Sequence, residues 1–250
     1  MARGDAKRRR DADKAFELLA IYNRTGQVPI LRNVIELLRN SIPTGVDRAG
    51  HLSNLCVALR ESYEQTGALA DLREAVDMGN AAVSAASAGH PYRSACLDNL
   101  GTALHELYKN TGDKATLHDA IRAHHTAVAA TATDDPNRPG FLNNLAISLR
   151  LLSRDSGDIG YLAEAIRVGW ESVSMTPVDN PDRGGHLGSL GSALYELYQR
   201  AGDISALRDA VKIDREAVAT TPQGHRFRAP LEKNLNHALQ ELQRLTDQGL

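Results

Sequence analysis

Apolar positions recur along the chain in short helical stripes that are separated by polar turns. Between residues 93 and 111, the stripe at i, i+3, i+4 and i+7 spacing consists of Leu97, Leu100, Ala103, Leu104 and Leu107. Thr111-Gly112-Asp113 then interrupts the pattern, and glycine suits the left-handed residue that ends a helix. A second stripe runs from Leu117 towards Thr133, and no segment alternates strictly as a strand would. The pattern therefore predicts an all-α chain built of helix pairs.

The helix pair repeats every 45 residues. The turn glycines at this spacing are Gly67, Gly112, Gly157 and Gly202. The leucines of one ladder are Leu55, Leu100, Leu145, Leu190 and Leu235. A helix pair with one apolar face on each helix buries both faces only by stacking on its neighbours. The repeat therefore predicts an α-solenoid.

The register of the repeat sets the expected domain organisation, a single solenoid domain over residues 11–246. Its expected units are 11–47, 48–92, 93–137, 138–182 and 183–227, followed by a capping helix over 228–246. Residues 1–10 are expected to form a disordered basic tail. The capping helix carries a one-sided apolar stripe that includes Leu231, Leu235 and Ala238, so we expect a chain that can be monomeric.

Residues 99–104, Asn-Leu-Gly-Thr-Ala-Leu, followed by a Gly-Asp turn and then Ala120-Ile121, resemble the tetratricopeptide repeat. The family repeat is about 34 residues long, and this longer variety resembles arrays associated with CHAT-domain proteins and with kinesin light chains. The resemblance covers about residues 11–246. It implies a right-handed α-solenoid of about five pairs, whose first helices line a concave groove that binds a protein or peptide.

Composition narrows the classes of partner. The chain has 29 Lys+Arg and 31 Asp+Glu, so its formal net charge of −2 is not that of a general polyanion binder. The basic residues before position 11 lack an accompanying aromatic pattern, so nucleic acid is not the expected partner. No run approaches the ~18 apolar residues of a membrane span, and no apolar signal segment follows the basic start. We expect no membrane partner and a cytoplasmic location, in keeping with only two cysteines.

Catalytic motifs are absent from the sequence, and no cofactor is expected. There is no phosphate-binding glycine loop, no nucleophile elbow and no His-Glu-x-x-His. His118, His124 and His125 share one predicted helix and raise the possibility of a metal site, but we favour a packing role for His124. Asp214 occupies the same slot two units later, and we expect it to pair with a cation on a neighbouring helix.

An arginine opens the first helix of every unit after the first. These arginines are Arg48, Arg93, Arg138, Arg183 and Arg228. Binding residues usually differ between repeats, whereas this position does not change. The pattern favours a structural role, with the guanidinium groups tied to carbonyls or carboxylates of neighbouring elements.

Positions on the predicted inner face of the first helices vary between units, whereas the core positions do not. The candidate binding residues are Asn54, Arg60, Asp98, Asn99, His105, Asn143, Asn144, Arg150 and Tyr195. The asparagines resemble those that hold a peptide backbone in carboxylate-clamp members of the family. The accompanying basic residues are replaced by Ser53, Asp98 and Asn143, so the resemblance does not extend to a chaperone-tail clamp.

The function expected from these features is a non-enzymatic scaffold that binds a protein or peptide in the groove. Two alternatives stay open at the level of sequence. One is an enzyme built on the same solenoid with histidine or acidic groove residues, and the other is a regulatory sensor that responds to a peptide or small molecule.

Overall fold

The computed structural model describes residues 2–42, 48–225 and 227–248, apart from the side chains of residues 2–6, 9, 16 and 23. Over these ranges the chain forms eleven helices and no strand. They are α1 (Ala2–Thr25), α2 (Val28–Ser41), α3 (Arg48–Thr66), α4 (Leu69–Ala85), α5 (Arg93–Thr111), α6 (Lys114–Ala129), α7 (Arg138–Ser156), α8 (Ile159–Met175), α9 (Arg183–Ala201), α10 (Ile204–Thr220) and α11 (Arg228–Asp247). The predicted all-α class and the 45-residue register of helix pairs are confirmed.

Helix α1 begins earlier than the sequence predicts. It starts at Ala2, so residues 2–10 form its first turns, whereas the sequence predicts a disordered tail over 1–10. Alanine, arginine and lysine, which dominate this segment, are all good helix formers, and they continue directly into the helix expected from residue 11.

The turns within the pairs follow from one glycine and, in the later pairs, one aspartate. Gly112 has φ of +68° and its N–H donates to the Tyr108 carbonyl at 2.8 Å, which closes the end of α5. The Asp113 carboxylate then accepts a hydrogen bond from the Ala115 N–H at 3.2 Å and caps α6. Positive φ at the equivalent positions is found in Gly26, Gly67, Gly157 and Gly202.

The described chain divides into two compact units, residues 1–131 and 132–250. In the first unit, each helix from α1 to α6 packs on the next, and the first helices α3 and α5 also touch. In the second unit, α7 to α11 pack in the same way, with α7 against α9 and α9 against α11. Within each unit the odd-numbered helices therefore form one layer and the even-numbered helices the other.

Repeated leucines and alanines fill the space between these layers. Leu55, Leu72 and Leu117 are fully buried in the first unit, as is Leu162 in the second. Small residues at other slots set how closely helices approach. A Cβ on Gly79 would lie 3.0 Å from the Leu100 side chain, and one on Gly169 would lie 3.2 Å from that of Leu190. Glycine at these two positions therefore lets one pair pack closely on the next.

The arginine ladder has the structural role that its repetition indicates. The Arg93 guanidinium donates to the Val83 and Ala86 carbonyls at the end of α4. Arg183 donates in the same way to the Val173 and Thr176 carbonyls, at 3.0 and 2.5 Å, and also pairs with Glu216 at 2.6 Å. These arginines satisfy helix-end carbonyls that otherwise lack a donor.

Helix α11 packs backward on the pair before it. Ala238 and Leu245 are buried against Leu207 and Val211 of α10, as the one-sided stripe predicts. Leu235, Leu239 and Leu242 are partly buried and pack against the same cluster, whereas Arg244 is exposed. The last helix thus covers the apolar face of α10.

None of the described helices combines the length and the apolar character needed to cross a bilayer.

Candidate ligand-binding groove

Two adjoining cavities lie along the first helices of the second unit, α7, α9 and α11. Their volumes are about 570 and 500 Å³, and both are bordered by Arg150, Ser192 and Asn234. The positions two before, two after and five after Leu145 and Leu190 all border one cavity or both. These positions are Asn143, Ile147, Arg150, Gly188, Ser192 and Tyr195.

We call the larger one the arginine cavity. It is lined by Arg150, Arg154, Gly157, Ser192, Tyr195, Glu196, Gln199, Arg200, Asp214, Asn234 and His237. The Glu196 carboxylate lies between two of its arginines, with Oε2 3.2 Å from Arg150 Nη1 and Oε1 3.8 Å from Arg200 Nη1. Arg200 also donates to Ser153 Oγ at 2.6 Å and to the Gly157 carbonyl at 2.5 Å. Two of the three guanidinium groups are thus held in place by the protein itself.

Arg154 differs from the other two arginines. Its side chain is exposed on α7, and no ion pair joins it to another described residue. Its guanidinium therefore keeps its donors for a ligand or for water.

Asp214 reaches the arginine cavity from the second layer of helices. It lies on α10 and is only 1% exposed, and its Oδ1 has no hydrogen-bond partner among the described residues. A Cβ on Gly191 of α9 would lie 2.0 Å from Oδ1, so the carboxylate fills the space that any larger residue at 191 would occupy. Burial raises the pKa of Asp214 to about 7.

The predicted ion pair of Asp214 with a neighbouring helix is therefore wrong. Asp214 lacks a partner within the described part of the chain because of the residue at position 188 of α9, three positions before Gly191. Gly188 supplies no side chain there, and the space is taken by the Leu231 side chain, 2.2 Å from where a Cβ would be. No side chain at position 188 is therefore available to pair with Asp214, whose Oδ1 has no donor among the described residues.

His124 occupies the equivalent position in repeat 93–137 and, unlike Asp214, has a hydrogen-bond partner. The His124 ring is 1% exposed and lies against Gly101, where a Cβ would be 2.6 Å from the imidazole. Its Nδ1 is 3.1 Å from Asp98 Oδ1. The packing role expected for His124 is confirmed, whereas the sequence gives no sign of its bond to Asp98. No cluster of three or more metal-ligating side chains occurs in the part of the chain that the structure describes.

We call the smaller cavity the apolar cavity, because Ile147, Phe227 and Leu231 contribute to its lining. Phe227 is 44% exposed, so its ring is accessible to a ligand. His186 also lines it, and its Nδ1 lies 2.9 Å from Thr176 Oγ1. Burial lowers the pKa of His186, so the neutral ring is favoured there.

The asparagines of the repeat connect neighbouring first helices. Asn99 Nδ2 donates to Ser53 Oγ at 2.9 Å, and Asn234 Nδ2 donates to Ser192 Oγ at 3.2 Å. Asn54 and Asn99 border a third cavity of about 360 Å³ in the first unit. Part of the hydrogen-bonding capacity of Asn99 and Asn234 is thus used between helices.

The candidate residues predicted from sequence are only partly brought together. Arg150 borders both cavities of the second unit, Asn143 the apolar one and Tyr195 the arginine one, whereas Asn144 is half-buried on α7 beside Asn143. The remaining three candidates, Asp98, Arg60 and His105, line none of these three cavities. Asp98 is buried against His124, Arg60 pairs with Glu64 on the same helix, and His105 is half-buried.

Several residues that line the two cavities were not among the candidates predicted from the sequence. Glu196 and Arg200 follow the predicted Tyr195 on α9, and Phe227 precedes α11. Phe227 is one of only three phenylalanines in the chain and stands between two predicted helices, which is a weak signal in the sequence. Glutamate recurs at the position of Glu196, as Glu61, Glu106 and Glu241, whereas the position of Arg200 carries no pattern across the repeats.

Comparison with known proteins supports the fold. No family model matches the chain, and no curated protein matches it. Among solved structures, the chain is similar to TTC0263, a thermophilic TPR protein of Thermus thermophilus, with a TM-score of 0.61, 15% identity, and coverage of 91% of this chain and 98% of that one. A second similar structure is a putative kinesin light chain with nearly identical TPR-like repeats from Podosopora anserina. Its TM-score is 0.55 and its identity 18%, with 89% of this chain and 98% of that one covered.

A third similar structure is MamA AMB-1, with a TM-score of 0.51, 16% identity, and coverage of 84% of this chain and 93% of that one. At these identities the likeness concerns the fold alone. The helix pairs, their glycine turns and these three structural neighbours together show that the chain has a fold similar to that of tetratricopeptide-repeat proteins.

Proposed function

We propose that the chain is a non-enzymatic scaffold whose second unit binds an extended peptide segment of a partner protein. The segment lies along α7, α9 and α11, with an apolar side chain near Phe227 and a polar end in the arginine cavity. The observation that carries this proposal is the contiguity of the two cavities, which share Arg150, Ser192 and Asn234. One continuous surface thus offers an apolar end and a charged end, which is what a peptide needs for affinity and for direction.

The amide groups along the groove suit a peptide backbone. Asn143, Asn234 and Gln199 border the two cavities and carry both a donor and an acceptor. An extended peptide exposes donors and acceptors in alternation, so side-chain amides on successive helices can pair with it whatever its sequence. The apolar and arginine cavities then select the side chains.

A catalytic function finds less support. His124 and Asp98 form a histidine–carboxylate pair of the kind that a catalytic site could use, but both are buried, at 1% and 7% exposure. A general base must reach the proton that it removes, and this ring has no such access. The pair is better explained as a polar contact between α5 and α6.

A displayed peptide library tests the proposal. Peptides selected on the purified chain are measured by calorimetry against the wild type, Phe227→Ala and Ser192→Arg. Ser192→Arg places a long side chain where both cavities meet, so it should abolish binding, and Phe227→Ala should weaken it about tenfold, the cost of roughly 1.4 kcal/mol of lost apolar contact. Trp170→Ala, which changes an exposed residue of α8 that borders neither cavity, is the matched control. Peptides that bind all variants equally would refute the groove.

A further inference from the structure

We propose that the arginine cavity takes a carboxylate side chain of the bound segment, and that Asp214 takes up a proton as the carboxylate enters. This inference rests on the proposed function, since it names the chemistry of one end of the same groove. The ligand class is an acidic peptide segment, with aspartate or glutamate at the position that meets Arg154.

The balance of charge in the cavity favours an anion. Three guanidinium groups line it, against the carboxyl groups of Glu196 and Asp214. Glu196 is shared between Arg150 and Arg200, which leaves those two arginines positioned but not fully neutralised. Arg154 contributes a further cation that is exposed to the cavity. A planar guanidinium group matches a carboxylate by two parallel hydrogen bonds.

Asp214 decides how strongly this anion is held. The groups that border the cavity with it are Arg150 and Arg154 on α7, Tyr195, Glu196 and Arg200 on α9, and His237 on α11. None of them donates a hydrogen bond to its Oδ1. The ionised form of Asp214 would repel an incoming carboxylate, whereas the protonated form is neutral and gains a donor.

Binding and protonation are therefore coupled. An anion in the cavity raises the pKa of Asp214 further, because a like charge nearby disfavours the ionised carboxyl. By linkage, a proton on Asp214 must strengthen anion binding by the same factor. Since burial alone brings the pKa of Asp214 to about 7, this coupling acts near neutral pH.

The opposite arrangement, a cationic ligand held by Asp214, predicts the opposite dependence on pH. An ammonium group would favour the ionised carboxyl, so its binding would strengthen as pH rises. It would also have to enter beside three arginines. The sign of the change in binding affinity with pH therefore distinguishes the two arrangements.

The experiment uses the full chain and fluorescein-labelled peptides of ten glutamates, ten glutamines or ten lysines, with anisotropy recorded at pH 6 and pH 8. Glutamate side chains stay ionised over this range, because their ordinary pKa is about 4.3. We expect the glutamate peptide to bind about tenfold more tightly at pH 6, the limit for uptake of one proton by a group that titrates near pH 7. The glutamine and lysine peptides should bind at least tenfold more weakly than the glutamate peptide at pH 6.

Three variants and one control variant assign the pH dependence and the anion binding to individual residues. Asp214→Asn, an uncharged residue of the same shape, should bind the glutamate peptide at pH 8 as tightly as the wild type does at pH 6 and lose the dependence on pH. His237→Gln should retain that dependence, which separates Asp214 from the one histidine of the cavity. Arg154→Ala should weaken binding at least tenfold, whereas Arg208→Ala, an exposed arginine of α10 outside the cavity, should not.

The inference is overturned if Asp214→Asn keeps the pH dependence, if it weakens binding at both pH values, or if the lysine peptide binds best. It is also overturned if the glutamate peptide fails to bind the wild type. In that last case the proposed function still stands when library peptides bind the wild type and are lost in Ser192→Arg, so the two failures are distinguishable.

Discussion

His124, in residues 1–131, and Asp214, in residues 132–250, occupy the same position of the 45-residue repeat but differ in their hydrogen bonding. Each lies on the second helix of its pair and fills the space left by a glycine on the first helix, Gly101 or Gly191. Both side chains are 1% exposed. His124 is hydrogen-bonded to Asp98, whereas Asp214 Oδ1 has no donor among the described residues.

The difference arises from a third position. Asp98 lies three residues before Gly101, and its counterpart three residues before Gly191 is Gly188. A buried polar group without a partner costs about 1–3 kcal/mol, so the first arrangement stabilises the fold and the second leaves free energy available for a ligand. One repeat architecture thus yields a polar core contact in one unit and a candidate recognition site in the other.

The largest effect is expected from removing the satisfied group. His124→Ala leaves both a cavity and a buried Asp98 without its partner, so the free energy of unfolding should fall by roughly 2–4 kcal/mol. Urea unfolding followed by circular dichroism measures this. His118→Ala, at an exposed position of the same helix, should stay within about 0.5 kcal/mol of wild type. Equal losses in the two variants would contradict the structural role of the His124–Asp98 contact.

Replacing the unsatisfied group should have the opposite sign. The pKa of Asp214 is raised from 3.8 to about 7, so the native chain holds this proton more tightly than the unfolded chain does. Stability contributed by the neutral carboxyl is therefore present below about pH 4 and is lost as pH rises to about 7. Asp214→Asn cannot ionise, so it avoids this loss of stability above about pH 4, but it buries an amide instead.

At pH 8 we expect Asp214→Asn to be more stable than wild type by roughly 1–3 kcal/mol, from ~1.4 kcal/mol per pKa unit reduced by the burial of the amide. Near pH 4 the advantage should vanish. Thermal unfolding of both chains across this range measures the difference. A variant that is less stable than wild type at pH 8 would show that the carboxylate has a partner in solution.

The two glycines provide a finer comparison. Gly101→Ala brings a Cβ to 2.6 Å from a ring that is held by Asp98, whereas Gly191→Ala brings one to 2.0 Å from a carboxylate oxygen that nothing holds. A held ring must be displaced together with its bond, so Gly101→Ala should cost about 1–3 kcal/mol, and Gly191→Ala less despite the closer contact. Chemical denaturation of the two variants ranks them. The reverse order would mean that Asp214 is the more rigidly packed group.

The smallest expected change in stability separates a ligand-facing arginine from a structural one. Arg154→Ala should leave the melting temperature unchanged to within the equivalent of about 0.5 kcal/mol, because the side chain is exposed and has no described ion pair. Arg150→Ala should cost about 1 kcal/mol, since it takes one partner from the buried Glu196. Scanning calorimetry gives both values. A loss in Arg154→Ala as large as that in Arg150→Ala would remove the distinction.

The helix pairs, their glycine turns and the arginine ladder are all predictable from the sequence alone. Each of these depends on local rules that act at a fixed spacing. A glycine at a helix end, a stripe at i, i+3 and i+4, and an invariant arginine recur every 45 residues along the chain. Where the rule is local, as at Gly112 or Arg93, the expectation and the structure agree.

Which polar residues contact each other depends instead on the packing of helices that are distant in sequence. Asp98 was expected in the groove and is bonded to His124, Asp214 was expected in an ion pair and has none, and Glu196 was not singled out although it joins two arginines. The physical reason is that a polar side chain is satisfied by whatever neighbouring helices place within about 3 Å of it, and those neighbours are separated from it by tens of residues in sequence. Two changes, aspartate at 98 to glycine at 188 and histidine at 124 to aspartate at 214, replace a hydrogen-bonded core contact by a buried carboxyl without a donor in the described chain and alter no local pattern.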